Sequence, residues 1–327
     1  MLTRATALLT AVVLTVSGCA DTQQNAGAEK VTYLTSFNTF GRDSYAYVAQ
    51  EKGYFRDAGL EVTINPGTGT ADVLKFVAGG RAEFGTADFT GSVISIAKDK
   101  LPVTTVAMVH QKTLAALVSL SDKGIKKPAD LVGKQIADAP GSTMRLMFPM
   151  YAKKAGFDPG SVQFVPSAPP SLPQLLASGK VDSIGQFTVG VPLIEKAVQG
   201  RKIATLPYGD VLPDLYGNAL VTSKDLAAKK PEQVAKFKAA LLKGLKYAVE
   251  HPDEAGQILR KFQPTQDAEV AAAELKLMAP SVLVPGTEVG AADQARVKRT
   301  IELLTSAGAI SAGSITPGDL VADLPSK

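Results

Sequence analysis

Val77-Ala78-Gly79-Gly80-Arg81-Ala82-Glu83-Phe84-Gly85 has a counterpart further along the chain, Leu176-Ala177-Ser178-Gly179-Lys180-Val181-Asp182-Ser183-Ile184-Gly185. In each, a helix stops at glycine and a basic residue follows. A strand carrying an acidic residue comes next, with a glycine near its carboxyl end. The two stretches fall at equivalent points of two runs in which strands alternate with helices.

Outward from the first stretch, strands are expected at 31–34, 60–64, 82–87 and 103–109, and helices at 44–52, 71–78 and 92–98. Leu60, Val62 and Ile64 alternate as in a half-buried strand. The helix at 44–52 has Asp43 or Ser44 as its cap and stops at Gly53. Outward from the second, strands are expected at 135–139, 162–165, 181–187 and 202–206, with helices at 142–155, 172–177 and 192–198. Apolar runs at 114–120 and 215–222 read as crossings between the two units. Helices close the chain at 231–250, 254–261, 268–278 and 291–306. In the first of these, Lys236, Lys238, Lys243 and Lys246 stand among Phe237, Leu241, Leu242 and Leu245, the pattern of a helix with one buried face, expected to cover the first unit.

Alternating strands and helices imply an α/β fold with mostly parallel sheets. The expected architecture is two-lobed, with residues 31–115 and 218–327 in lobe one, 116–217 in lobe two, and a hinge of two crossover strands. Ligands of such sheets sit outside the carboxyl ends of the strands. In a two-lobed clamp those ends face each other, and closure excludes water.

With 327 residues, 45% of them hydrophobic, the chain can bury a sizeable core, and 20% charged residues do not suggest disorder. The net charge of +4 is spread over short pairs such as Lys126-Lys127, Lys153-Lys154 and Lys229-Lys230, without a basic block, so nucleic acid is not an expected partner. A single cysteine excludes an intrachain disulfide.

That cysteine is Cys19. A positive start at Met1 to Arg4 and an apolar run from Ala5 to Val16, too short to span a bilayer, lead to Val16-Ser17-Gly18-Cys19. Small residues before a cysteine resemble the bacterial lipobox, in which the thiol is acylated and cleavage leaves cysteine first. The expectation is a signal peptide at 1–18, lipidation (palmitate) at Cys19, a flexible tether at 19–30 and an extracytoplasmic, membrane-anchored protein.

Tyr47-Val48-Ala49-Gln50-Glu51-Lys52-Gly53-Tyr54-Phe55, followed by Gly59-Leu60-Glu61-Val62, resembles the opening of periplasmic solute-binding proteins of the nitrate, sulfonate and taurine type. It looks more like the branch that includes binders of thiamine pyrimidine precursors. Ala78 to Asp88, then Leu131-Val132-Gly133-Lys134-Gln135-Ile136 with Gly141-Ser142, then Gly179-Lys180-Val181-Asp182, are similar to later blocks of that family in the same order. The resemblance implies a type II periplasmic binding fold, no catalysis, no cofactor, a monomer, and partnership with an ABC permease and its ATPase. Related pyrimidine-synthesising enzymes use histidine and a cysteine-rich motif; only His110, His251 and Cys19 stand here, which speaks against an enzyme.

Candidate ligand-binding residues stand at strand ends. In Ser36-Phe37-Asn38-Thr39-Phe40-Gly41-Arg42-Asp43, Phe37, Asn38, Phe40, Arg42 and Asp43 offer aromatic faces, an amide, a cation and a carboxylate; the alternative is a solvated loop. Asp88-Phe89-Thr90 offers a carboxylate for an amine, or a helix cap. His110 is a ligand contact or a structural histidine, and no spacing suggests a metal site. Ser142 and Thr143 open a helix whose N-terminus suits an anion or carbonyl, or Ser142 simply caps it. Gln186-Phe187-Thr188 echoes Asp88-Phe89-Thr90, so that Phe89 and Phe187 face a ligand from opposite lobes, and Tyr216 stacks from the hinge or merely packs. Aromatic faces with carboxylates suit a flat, amine-bearing heterocycle such as a thiamine pyrimidine precursor. Arg42, His110 and Ser142 keep an alkanesulfonate, taurine or nitrate open.

Overall fold

The computed structural model describes residues 27–322. The expected signal peptide and Cys19 lie outside the described residues. The strands are β1 (Glu29–Leu34), β2 (Phe37–Asn38), β3 (Leu60–Asn65), β4 (Gly67–Thr68), β5 (Phe84–Asp88), β6 (Val103–Met108), β7 (Ala115–Leu120), β8 (Gln135–Asp138), β9 (Gln163–Pro166), β10 (Ser183–Phe187), β11 (Ile203–Pro207) and β12 (Asn218–Ser223). The helices are α1 (Ser44–Glu51), α2 (Tyr54–Asp57), α3 (Thr70–Ala78), α4 (Phe89–Asp99), α5 (Thr143–Lys154), α6 (Leu172–Ala177), α7 (Val191–Ala197), α8 (Lys224–Lys229), α9 (Pro231–Glu250), α10 (Pro252–Phe262), α11 (Ala268–Val282), α12 (Gln294–Ser306) and α13 (Pro317–Leu320). Glu29 and Lys30, read as the end of the tether, already belong to β1.

Ten strands form two five-stranded sheets, in the orders β3-β1-β5-β12-β6 and β9-β8-β10-β7-β11, and β2 pairs with β4. The two orders are the same topology used twice. In each, the first three strands are parallel and the fourth runs antiparallel to both its neighbours. The repeated stretches occupy matching places, α3 into β5 and α6 into β10. The fourth strands, β7 and β12, are the apolar runs read as crossings. Each lies wholly within one sheet, and the links that pass between sheets are residues 109–114 and 208–217.

The local chemistry accounts for these elements. In β3, Leu60 and Val62 are buried while Glu61 and Thr63 are exposed. β6 and β7 are buried along their whole length, including Thr104, Thr105 and Ser119, as strands inside a covered sheet are. Asp88 caps α4 by accepting from Gly91 N at 2.8 Å, and Ser142 caps α5 through Arg145 N at 3.1 Å. On α9, Phe237 stacks on Phe84 of β5 with ring centroids 4.0 Å apart and lies 5.3 Å from Phe55. This cluster joins the first sheet to its helical cover.

The closing helices do more than cover the first lobe. α11 packs on α9 and α10 and also reaches α7 of the second lobe, where Lys196 pairs with Asp267. On α12, Arg296 donates from Nε to Asp214 O at 2.7 Å, in the second inter-sheet link. The lobes touch across the cleft: Thr70 and Thr143 share a hydroxyl hydrogen bond of 2.8 Å, and Ala71 N donates to Gly141 O at 3.2 Å. Among the described residues, no helix is long and apolar enough to cross a membrane.

Candidate functional site

The carboxyl end of β1 turns into a tight loop. Asn38 adopts φ 54°, a left-handed conformation that asparagine tolerates, and Thr35 Oγ1 donates to Asn38 O. β2 pairs with β4, and Gly67 N donates to Thr35 Oγ1 at 3.1 Å, which ties the loop down. The loop is not solvated: Phe37, Phe40, Arg42 and Asp43 are all buried, and Asn38 is half-buried. Asp43 precedes α1 yet does not cap it. Its Oδ2 accepts instead from Phe40 N at 3.0 Å, and burial raises its pKa to about 6.

Arg42 lies against two aromatic rings. Its guanidinium carbon is 4.6 Å from the centroid of Phe40 and 4.8 Å from that of Phe187, which belongs to the second sheet. Nη2 donates to Phe37 O at 3.1 Å, and Arg42 N donates to Glu274 Oε2 on α11 at 2.9 Å. Nε and Nη1 have no hydrogen-bond partner among the described residues. Burial raises the Glu274 pKa to about 7, against the pull of Arg42.

Along the first sheet, Asp88 of β5 stands opposite Asn218 of β12. Asn218 N donates to His110 Nδ1 at 3.3 Å, and Asn218 Nδ2 donates to Ser36 Oγ at 3.1 Å. Because His110 Nδ1 accepts, its proton sits on Nε2. Burial, with Arg42 nearby, lowers the His110 pKa to about 3, so the ring is neutral. Asp88 N donates to Thr70 Oγ1 at 3.2 Å, which links this row to Thr143 in the other lobe. Burial raises the Asp88 pKa to about 7. His110 Nε2, Asp88 Oδ2, Asn218 Oδ1 and Thr90 Oγ1 are buried without a partner among the described residues. Buried polar atoms rarely stay unpaired, so together with Arg42 they form a set of donors and acceptors addressed to something else.

Other candidates are engaged in contacts of their own. Ser142 spends its hydroxyl on Asp138 Oδ2 while it caps α5. Asp138 is itself buried, with a pKa raised to about 7. Gln186 Oε1 accepts from Phe187 N at 2.8 Å. Phe89 and Tyr216 pack edge to face, with centroids 5.6 Å apart and planes at 84°. Tyr216 carries Arg296 over its ring at 3.9 Å and accepts from Asp293 N at 3.0 Å. Phe89 and Phe187 are therefore not a matched pair: Phe89 begins α4, whereas Phe187 still ends β10.

Three contributors escaped the sequence reading. Ser36 stands in the quoted loop, but nothing marked it. Asn218 opens a strand expected to begin earlier. Glu274 shares a helix face with Ala271, Leu275 and Met278, so a carboxylate on an apolar face was the available signal. Among the described residues, no three His, Cys, Asp or Glu side chains are grouped as metal ligands.

The chain is 26% identical over 256 residues to the formylaminopyrimidine-binding protein of Halalkalibacterium halodurans, covering 77% of this chain and 76% of that protein. It is 28% identical over 282 residues to the riboflavin-binding protein RibY of Chloroflexus aurantiacus, covering 81% and 77%. It is also 25% identical over 251 residues to the yeast (Saccharomyces cerevisiae) 4-amino-5-hydroxymethyl-2-methylpyrimidine phosphate synthase THI13, covering 72% of each chain. The fold superposes on the alkanesulfonate-binding protein SsuA from Xanthomonas axonopodis pv. citri with a TM-score of 0.72, at 16% identity and over 91% of this chain and 99% of the other. The architecture is thus that of the two-lobed periplasmic binding proteins. The NMT1/THI5-like family model matches residues 44–255, and the chain belongs to that family.

Proposed function

We propose that this protein is the solute-binding component of an ABC importer, and that its solute is a small amine-bearing heterocycle of the thiamine-pyrimidine-precursor kind. The observation that carries the reading is Asp88 Oδ2, a buried carboxylate oxygen without a donor among the described residues, beside Asn218 Oδ1 in the same condition. These acceptors call for N–H groups on the solute. A nitrate or an amine-free alkanesulfonate offers only acceptors and would meet the Asp88 carboxylate unfavourably; taurine carries an ammonium, and the titration below separates it from the pyrimidine. Relatives named for formylaminopyrimidine and riboflavin, both flat heterocycles, support the same choice.

Binding without catalysis is the reading for this chain, although a relative is named a synthase. The one cysteine is Cys19, far from the cleft residues in sequence, and burial, with Arg42 nearby, holds His110 neutral. The reading includes lobe one as 31–115 with 218–327 and lobe two as 116–217. It also includes export, acylation at Cys19, a monomer on the outer face of the membrane, and docking to a permease with its ATPase. Calorimetric titration of the purified protein with formylaminopyrimidine and with taurine tests the solute. Saturable binding of the pyrimidine alone is expected; binding of taurine alone refutes it. Labelled palmitate should enter the full chain and be lost in Cys19→Ser.

A further inference from the structure

The acceptor pole at Asp88 and Asn218 leaves the unpaired groups of Arg42 and His110 unanswered. Arg42 is 1% exposed. The rings of Phe40 and Phe187 pack against its guanidinium, and Phe37 O takes Nη2. What remains without a partner are the Nε and Nη1 N–H groups, on either side of Nη2. A guanidinium cannot relieve its burial by giving up a proton, as a carboxyl can by gaining one. Neither neighbouring carboxyl serves it: Asp43 Oδ2 accepts from Phe40 N and Glu274 Oε2 accepts from the Arg42 backbone. Among the described residues, Arg42 forms no ion pair. His110 presents a second buried donor, Nε2–H, also without an acceptor.

We infer that Arg42 and His110 read an exocyclic carbonyl or oxyanion on the solute, so that the ligand is a ring carrying an oxygen at one pole and an amine at the other. Arg42 is thereby a specificity-determining residue, held by Phe37 O and the two rings so that one of its unpaired N–H groups makes the contact. Because Phe187 comes from the second sheet, the guanidinium is clamped only when the lobes meet, and the oxygen is read in the closed form. This inference rests on the heterocycle reading above.

The test compares formylaminopyrimidine with the same aminopyrimidine lacking the formyl group, by calorimetry on the native protein, Arg42→Lys and Arg42→Gln. Circular dichroism and thermal unfolding check the folding of each variant. The native protein should prefer the formyl compound by about tenfold or more, the range of one charge-assisted hydrogen bond. Arg42→Gln should bind both compounds alike, and Arg42→Lys should keep part of the preference. If Arg42→Gln does not fold, Arg42→Lys decides, since its preference must still fall. Equal binding of both compounds by the native protein, or a preference unchanged in the folded variants, overturns the role of Arg42 and leaves the heterocycle reading intact. Failure of both compounds to bind the native protein overturns the heterocycle reading, and this inference with it.

Discussion

Replacing Asp88 with asparagine should make the protein more stable and a worse binder. Asp88 Oδ1 accepts from Gly91 N at 2.8 Å, a cap that asparagine can also form. Oδ2 has no partner among the described residues, and the side chain is fully buried. Burial raises the pKa from the usual 3.8 to about 7. Between those values the folded chain holds a proton that the unfolded chain has released. Stability from this group is therefore greatest at low pH and is lost as pH rises through about 7. At about 1.4 kcal/mol per tenfold change, the whole effect has a ceiling of about 4 kcal/mol. Asparagine cannot ionise. At about pH 8, Asp88→Asn should exceed the native protein in stability by about 2 kcal/mol or more, and at about pH 4 the two should agree within about 0.5 kcal/mol. Asp43, Asp138 and Glu274 titrate in both proteins and cancel in the difference. Urea unfolding at several pH values measures the gap. A gap that does not change with pH refutes the argument from burial. The same variant turns an amide N–H toward the solute's amine, and aminopyrimidine binding should weaken by about 100-fold, the cost of a buried unpaired group. Unchanged binding would remove Asp88 from the site.

Phe237→Ala removes the ring stacked on Phe84 and should cost about 3–5 kcal/mol in urea unfolding without altering the cleft residues. Ser142→Ala removes both the α5 cap and the hydroxyl on Asp138, so it should cost about 1–2 kcal/mol, and more above about pH 7, where Asp138 ionises. Thr143→Val breaks the hydroxyl bond to Thr70 across the lobes; small-angle scattering should show a larger radius of gyration without ligand, while thermal stability changes by no more than about 1 kcal/mol. Gly41→Val would drive a side chain into the backbone of Ala271, displacing α11 from Arg42; it should weaken solute binding more than it lowers the melting temperature, as calorimetry and a thermal scan would show.

Helices whose ends carry their own signals were legible from sequence to the residue. α9 runs from Pro231 to Glu250 as its periodicity and its proline start indicate, and α6 matches its expected span. The crossings were misplaced because an apolar run announces a strand but not its neighbours. Antiparallel pairing puts β7 between β10 and β11, and β12 between β5 and β6, and that is a property of the assembled sheet. The shared Phe-Thr pair misled in a related way. Aligned on Gly85 and Gly185, the two phenylalanines stand two residues out of step. The loop at 36–43 was recognisable as a strand end of interest. That Arg42 would pack against both Phe40 and Phe187 was not, because one of those rings arrives from the other lobe. Likewise His110 looked like an isolated histidine until β12 brought Asn218 beside it.

The placement of β12 also sets an order of assembly. Residues 115–207 supply every strand of the second sheet in one continuous piece, so that lobe can be completed as soon as its own chain is present. The first sheet cannot. Its fourth place, between β5 and β6, stays open until residues 218–223 return, and the edges of β5 and β6 lack their partner until then. Unpaired strand edges invite wrong pairing, and contacts between distant residues form slowly. The lobe begun first is the one finished last. Its exposed slot, rather than the cleft, is where a holding chaperone or a slowed folding rate would protect the young chain.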